Sequence, residues 1–138
     1  MIRIADIAHY GRWFPYEGGS LPLWWFDVRT EKTVPIEEVH EMCGYNDIND
    51  IDADMCKEDG IIPYFRLDIP KLEMEYAKEF LPWEVKRMME MDTRSMDYDF
   101  GRVIEKYGLE SHWYNYELQA LSDLARQWCG KNHIPFKA

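Results

Sequence analysis

The sequence lacks the long apolar runs that mark membrane and secreted proteins. No stretch of the 138 residues approaches the length of apolar chain that a helix needs to cross a bilayer. Residues 1–13 are interrupted by Arg3, Asp6 and His9, so they contain no apolar centre of a signal peptide. These absences predict a cytoplasmic protein with no membrane partner.

Cysteine is also scarce. The three cysteines, Cys43, Cys56 and Cys129, are odd in number and scattered, and no C-x-x-C motif occurs. This pattern argues against a framework of disulfides and predicts reduced thiols. His40 lies one turn before Cys43, which raises a metal site as an alternative. A structural zinc needs four such ligands and the other candidates are isolated, so we expect no cofactor.

Basic side chains are too few and too dispersed to bind a phosphate backbone. The chain carries 16 Lys and Arg against 26 Asp and Glu, a net charge of -10, and has no basic stripe. Affinity for nucleic acids rests mostly on the neutralisation of phosphates by Lys and Arg. We therefore expect no direct binding to DNA or RNA, whereas a basic protein partner is favoured electrostatically.

What the sequence does contain is ample material for a core, since 46% of its residues are apolar and 15% aromatic. We predict one domain over residues 1–138. The predicted helices are residues 4–8, 35–44, 70–81, 83–91, 98–108 and 111–130. In the last of these, Ser111 is the predicted N-cap, and one apolar stripe runs through Tyr114, Leu118, Leu121, Ala125 and Trp128.

The strand candidates lie before most of the helices. Residues 23–28 carry the bulky side chains typical of strands, and with residues 34–36 they predict a two-stranded hairpin. Trp24 and Phe26 would share one face of it. A third strand is predicted at residues 61–67, where a proline restricts it to a sheet edge or a bulge. The predicted fold class is α+β, a small antiparallel β ribbon packed against a mostly helical C-terminal half.

The excess negative charge is concentrated in one segment. Residues 41–60 hold seven acidic side chains and one lysine, more than half of the net charge. Aligned to an EF-hand calcium loop, the segment places Met55 where the turn needs glycine and Ile61 where a bidentate glutamate belongs, so the motif fails. As a helix, the segment would bury Ile48, Ile51 and Met55 and expose its acids.

Two interpretations of these acids stay open, a solvated face that keeps the protein soluble or a docking surface for a basic partner. The candidate partner-binding residues are Asp47, Asp50, Asp52, Asp54, Glu58 and Asp59, with Trp24 and Trp25 as apolar anchors. The leading hypothesis is a non-enzymatic inhibitor or immunity-type protein that occludes a nucleic-acid-handling partner. The alternatives are a metal-assisted enzyme that combines the acids at 47–59 with His40 and Cys43, and a homo-oligomer joined through residues 24–26.

A second candidate site lies at the head of the last predicted helix. His112 and Tyr116 are one turn apart, as are Trp113 and Glu117, so these two pairs would line a pocket mouth with Glu117 as a general base. No nucleophile-elbow pattern surrounds Ser111, so a Ser-His-Asp triad is not indicated. Packing within a core is the alternative interpretation of the same aromatic residues.

A hairpin, an acid-rich middle and aromatic helices in this order resemble a small bacterial family known only as uncharacterised. The positions that carry the resemblance are Asp27, Thr30 and Glu31, then Tyr76, Phe80, Phe100, Arg102, Trp113, Tyr114, Tyr116, Ala125 and Trp128. The turn departs from the family pattern, since Thr30-Glu31-Lys32 stands where Thr-Gly-Glu is expected. The resemblance implies a fold of this kind over residues 24–134 and carries no activity.

Overall fold

The computed structural model describes residues 1–15, 21–83 and 93–138. Its helices are α1 (Ile4–Ile7), α2 (Ile36–Met42), α3 (Ala53–Glu58), α4 (Ile69–Phe80), α5 (Thr93–Lys106) and α6 (Glu110–Lys131), with 3-10 turns at Ala8–Gly11 and Ile48–Asp50. Its strands are β1 (Ile2–Arg3), β2 (Arg12–Trp13), β3 (Trp24–Asp27), β4 (Lys32–Pro35), β5 (Ile61–Pro63), β6 (Leu67–Asp68) and β7 (Phe136–Lys137). In the described ranges, helices predominate and are accompanied by one small three-stranded antiparallel sheet, so the fold class is α+β, as predicted. Among the described residues, no helix has the length and apolar character needed to cross a membrane.

A three-stranded antiparallel sheet in the order β4-β3-β5 lies between the helices. Phe26 of β3 pairs with Thr33 on one side and with Ile62 on the other. The turn from β3 to β4 is held by Asp27, whose Oδ1 accepts the backbone N–H of Arg29 at 2.9 Å. The predicted hairpin is confirmed, and the third strand is three residues long and lies at a sheet edge, where its proline costs no internal hydrogen bond.

Both faces of this sheet are covered, because alternate side chains of β3 enter two different cores. Phe26 lies in one cluster with residues of α1 and α6, and its ring meets that of Trp128 edge-on at 5.8 Å. Trp25 lies on the opposite face, in a cluster with residues of α2 and α3. Since Trp25 and Phe26 are 0% and 1% exposed, they offer no surface for the predicted joining of two copies through residues 24–26.

A third core joins α4, α5 and α6. Tyr76 of α4 is fully buried there, with its ring 5.9 Å from that of Phe100 and 5.2 Å from that of Trp113. Asp68 is the N-cap of helix α4, and its Oδ1 accepts the N–H of Lys71 at 3.1 Å. The helices predicted at 70–81 and 111–130 are confirmed to within one residue at each end.

Two details of the last helix differ from the prediction. Ser111 is not its N-cap, because α6 already begins at Glu110 and no side chain caps it. The predicted stripe is buried only in its later part, since Tyr114 is 64% and Leu118 37% exposed. The first turns of α6 therefore face an open groove. The helix predicted at 83–91 lies outside the described residues, except for Trp83.

The first and last strands of the fold meet. Strand β1 pairs in parallel with β7, with Ile2 opposite Phe136 and Arg3 opposite Lys137. A second parallel pair joins β2 to β6. These short pairs hold the N-terminal turns against α6.

Candidate functional site

The acid-rich segment forms two short helices, where its apolar spacing predicts one. Each is preceded by an aspartate N-cap whose carboxylate accepts one or two backbone N–H groups. Asp47 accepts from Asn49 at 3.4 Å, and Asp52 accepts from Asp54 and Met55 at 3.0 and 3.3 Å. Because a capping carboxylate satisfies the free N–H groups at a helix start, these aspartates divide the segment.

This division changes which apolar side chains point inward. Ile51 lies between the two short helices with an extended backbone and is 8% exposed. Met55 is 54% exposed, so the prediction that it faces inward is wrong. Asp52 places the start of α3 so that Cys56, and not its neighbour Met55, enters the core.

Helix α2 packs on the same face of the sheet and adds two exposed acids, Glu37 and Glu38, to the seven of residues 41–60. We call residues 36–60 the acidic lobe. It holds nine acidic side chains and one lysine, a net charge of -8 out of -10 for the whole chain. The nine are Glu37, Glu38, Glu41, Asp47, Asp50, Asp52, Asp54, Glu58 and Asp59, and all are exposed. None forms an ion pair with Lys or Arg in the ranges that the structure describes.

The two tryptophans predicted to act with these acids are not part of the acidic lobe's surface. Trp25 is 0% exposed beneath α2 and α3, so the prediction that it contacts a partner is wrong. Trp24 is 39% exposed, but it lies on the other face of β3, with its ring 5.2 Å from that of Tyr10. The exposed apolar side chains of the acidic lobe are instead Met42 and Met55, at 49% and 54%.

Two cysteines are in contact inside the acidic lobe. The sulfur atoms of Cys43, at the end of α2, and Cys56, in α3, are 3.4 Å apart. Cys43 is partly exposed and Cys56 is 0% exposed. Burial, and then the neighbouring Cys43 thiol, raise the pKa of Cys56 to about 12, although a hydrogen bond with the Tyr45 side chain acts in the opposite direction.

The part of the chain that the structure describes contains no complete set of ligands for the metal site predicted as an alternative at His40 and Cys43. His40 Nδ1 donates a hydrogen bond to the carbonyl oxygen of Tyr45 at 3.1 Å. Within the described ranges, no group of three or more His, Cys, Asp and Glu side chains is arranged to hold a metal ion. His40 and Cys43 thus lack a third ligand among these residues.

An open groove of about 640 Å³ lies along the first turns of α6. Its floor is apolar, with Ile104 and Leu121 among the side chains, and its rim carries an ion pair. Arg12 Nε lies 2.7 Å from Glu117 Oε1, with 12% of the Glu117 side chain exposed. Sequence reasoning missed Arg12, because nothing local in the sequence relates it to a glutamate more than a hundred residues away.

The four residues predicted to line one pocket are divided between two surfaces. Trp113 and Glu117 line the groove, whereas His112 and Tyr116 face α4. The Tyr76 hydroxyl and His112 Nδ1 are hydrogen-bonded at 2.6 Å. Successive residues of a helix differ in direction by about 100°, so the two pairs diverge. Glu117 is already paired with Arg12, and the predicted cluster does not meet at one point.

Comparisons of this chain with models of protein families, with curated proteins and with solved structures find no match. The resemblance to an uncharacterised bacterial family therefore stays a prediction.

Proposed function

We propose that this protein is a non-enzymatic binding domain that uses the acidic lobe to bind a basic protein partner. One observation carries the proposal: nine exposed carboxylates and a single lysine share residues 36–60. Like charges on one surface repel each other, and solubility alone requires only that charge be spread over the molecule. The concentration of one sign of charge within residues 36–60 favours a partner of the opposite sign.

The surface also offers apolar contact among the charges. Met42 and Met55 are about half exposed on α2 and α3. Methionine is flexible and polarizable, so it adapts to the aliphatic stems of lysine and arginine side chains on a partner. The carboxylates would raise the rate of encounter and set the orientation, and the methionines would supply buried area.

The partner chemistry that fits best is a groove lined by lysine and arginine. Proteins that handle nucleic acids carry such grooves, where the basic side chains neutralise phosphates. A row of carboxylates can occupy the same groove and exclude the nucleic acid. The consequence would be inhibition by occlusion, which requires no catalytic residue on this chain.

The test compares two variants with the same loss of negative charge. The first converts Asp47, Asp50, Asp52 and Asp54 to Asn, and asparagine preserves the two helix caps because it is as good an N-cap as aspartate. The control converts four exposed acids outside the acidic lobe, Asp6 to Asn and Glu75, Glu79 and Glu105 to Gln. The unmodified chain and the two variants are each used to capture proteins from a lysate of the native cells, and the captured proteins are identified. The protein that is captured more strongly by the unmodified chain than by the acidic-lobe variant is then purified.

Binding of that purified protein is then measured by calorimetry at several salt concentrations. We expect the acidic-lobe variant to bind at least about tenfold more weakly with a smaller salt dependence, because each neutralised carboxylate removes part of the attraction. The control variant should bind like the unmodified chain. Equal binding by both variants, or no protein that prefers the unmodified chain over the acidic-lobe variant, would contradict the proposal.

A further inference from the structure

The contact between Cys43 and Cys56 has no part in the proposed binding of a partner, and it does not depend on that proposal. The two residues close a short segment that contains four of the nine acids of the acidic lobe. Their sulfur atoms, 3.4 Å apart, are the one pair of thiols in contact within the described ranges. The third cysteine, Cys129, lies in the cluster on the other face of the sheet.

We propose that Cys43 and Cys56 form a reversible disulfide that ties the end of α2 to α3. A disulfide forms between side chains that already face each other, so the existing contact asks for little backbone movement. The two cysteines also differ in exposure, so that one thiol can react first with a reagent and the other can react second within the protein. Cys43 is partly exposed, so a small reagent can reach it from solution, whereas Cys56 is fully buried and lies against the Cys43 sulfur.

The oxidant is a small disulfide such as oxidised glutathione. The Cys43 thiolate attacks one sulfur of that disulfide, forms a mixed disulfide and releases one glutathione thiolate. The Cys56 thiolate then attacks the Cys43 sulfur, forms the intrachain bond and releases the second glutathione. Over the two steps the protein loses two electrons and two protons, and one oxidised glutathione becomes two reduced ones.

The order of the two attacks follows from the environment of each sulfur. Only the thiolate form of cysteine is nucleophilic, and burial holds the pKa of Cys56 at about 12. Cys56 therefore reacts second, when the mixed disulfide is already beside it and the reaction is within one molecule. A hydrogen bond with Tyr45 assists the loss of the Cys56 proton, because it lowers the pKa of that thiol.

The experiment treats the folded chain with oxidised glutathione and follows it by intact mass and by peptide mapping. The unmodified chain should lose two hydrogen atoms and give one linked peptide pair that contains residues 43 and 56, and a reducing thiol should reverse the change. We expect this form to exceed the glutathione adduct by about tenfold, because the second attack is intramolecular. Cys129→Ala is the matched control and should behave like the unmodified chain.

Two further variants separate the steps. Cys56→Ala should retain one glutathione on Cys43, since no second thiol can displace it, and Cys43→Ser should neither lose hydrogen nor gain glutathione. Circular dichroism confirms that each variant is folded, and a time course of the unmodified chain shows the same adduct as a transient if Cys56→Ala does not fold. A stable adduct on the unmodified chain, a bond to Cys129, a bond between two chains, or formation only in urea would overturn the proposal.

Discussion

Gly11 lies where the N-terminal turns pack against the ring of Phe65, and there is no room for a side chain at this position. It ends the 3-10 turn Ala8–Gly11, and a Cβ built on it would overlap the ring of Phe65. Gly101 in α5 is the opposite case, because a Cβ there would meet nothing within 4 Å. Substitution of alanine at each of these two glycines therefore distinguishes the cost of a steric clash from the gain of restricting the unfolded backbone.

We predict that Gly11→Ala lowers the free energy of unfolding by about 1–3 kcal/mol, because the Phe65 ring must move from a packed position. Gly101→Ala should raise it by up to about 1 kcal/mol, since alanine suits a helix interior better than glycine. Urea denaturation followed by circular dichroism measures both. Equal and small effects at the two positions would show that Phe65 has room to shift.

At the scale of the elements, a single aspartate decides where α3 begins. Asp52 accepts hydrogen bonds from two of the free N–H groups of the helix, and α3 is only six residues long. A helix of this length has little stability of its own and depends on its cap and on its packing against the sheet. Cys56 is its buried residue.

We predict that Asp52→Ala destabilises the protein by about 1 kcal/mol, whereas Asp52→Asn changes its stability by only a few tenths. Asp50→Ala is the control, because Asp50 is exposed and caps no helix. The three urea midpoints are measured in one buffer of fixed salt concentration. If Asp52→Asn costs as much as Asp52→Ala, the charge of Asp52 and not its capping hydrogen bonds stabilises α3.

The sequence predicts those elements whose apolar pattern is long and unbroken. Helices α4 and α6 carry several turns of regular spacing, so their limits follow from the pattern alone. The acid-rich segment has apolar residues at helical spacing too, but local capping by Asp47 and Asp52 divides it. An aspartate caps a helix only where the backbone has the required conformation. In the sequence alone, Asp47 and Asp52 fit an exposed face of one continuous helix equally well.

The candidate site was predictable only where exposure follows from charge. The acids of the acidic lobe are exposed because a carboxylate is costly to bury, and the sequence places them there correctly. The fate of Trp25 depends on helices that cover the second face of the sheet, and the ion pair of Arg12 with Glu117 depends on the packing of α6. Contacts of this kind come from tertiary structure, which no local pattern records.

Over the whole molecule, buried cysteine thiols and a buried tyrosine hydroxyl of high pKa make stability sensitive to alkaline pH. Burial raises the pKa of Cys129 to about 11 and that of Tyr64 to about 12, and burial with the Cys43 thiol raises that of Cys56 to about 12. In the unfolded chain these groups lose their protons near pH 9 for thiols and 10 for tyrosine. Between the pKa of each group in the unfolded chain and its pKa in the folded chain, the folded state binds more protons than the unfolded state. The free energy of unfolding therefore falls as pH rises through this range.

We predict that the urea midpoint is constant between pH 7 and 8 in a reducing buffer and falls steadily above about pH 9. Cys129→Ala should make the fall less steep, because one group that differs between the folded and unfolded chain is gone. Tyr114→Phe is the control, as this side chain is 64% exposed. A midpoint that rises above pH 9, or a fall as steep in Cys129→Ala, would contradict the prediction.

The pairing of β1 with β7 sets the order in which the chain can become native during synthesis. Ile4 and Ile7 belong to the same cluster as Trp128 and Ile134, and the backbone of Ile2 bonds beside Phe136. The ribosome delivers the first of these residues long before the last, so the cluster that Ile4 and Ile7 join stays incomplete until α6 has emerged. Helix α2, α3 and the hairpin, by contrast, have their whole cluster available by residue 61. The cluster beneath the acidic lobe can thus fold first, and the cluster on the other face of the sheet is completed only when α6 and β7 have been synthesised.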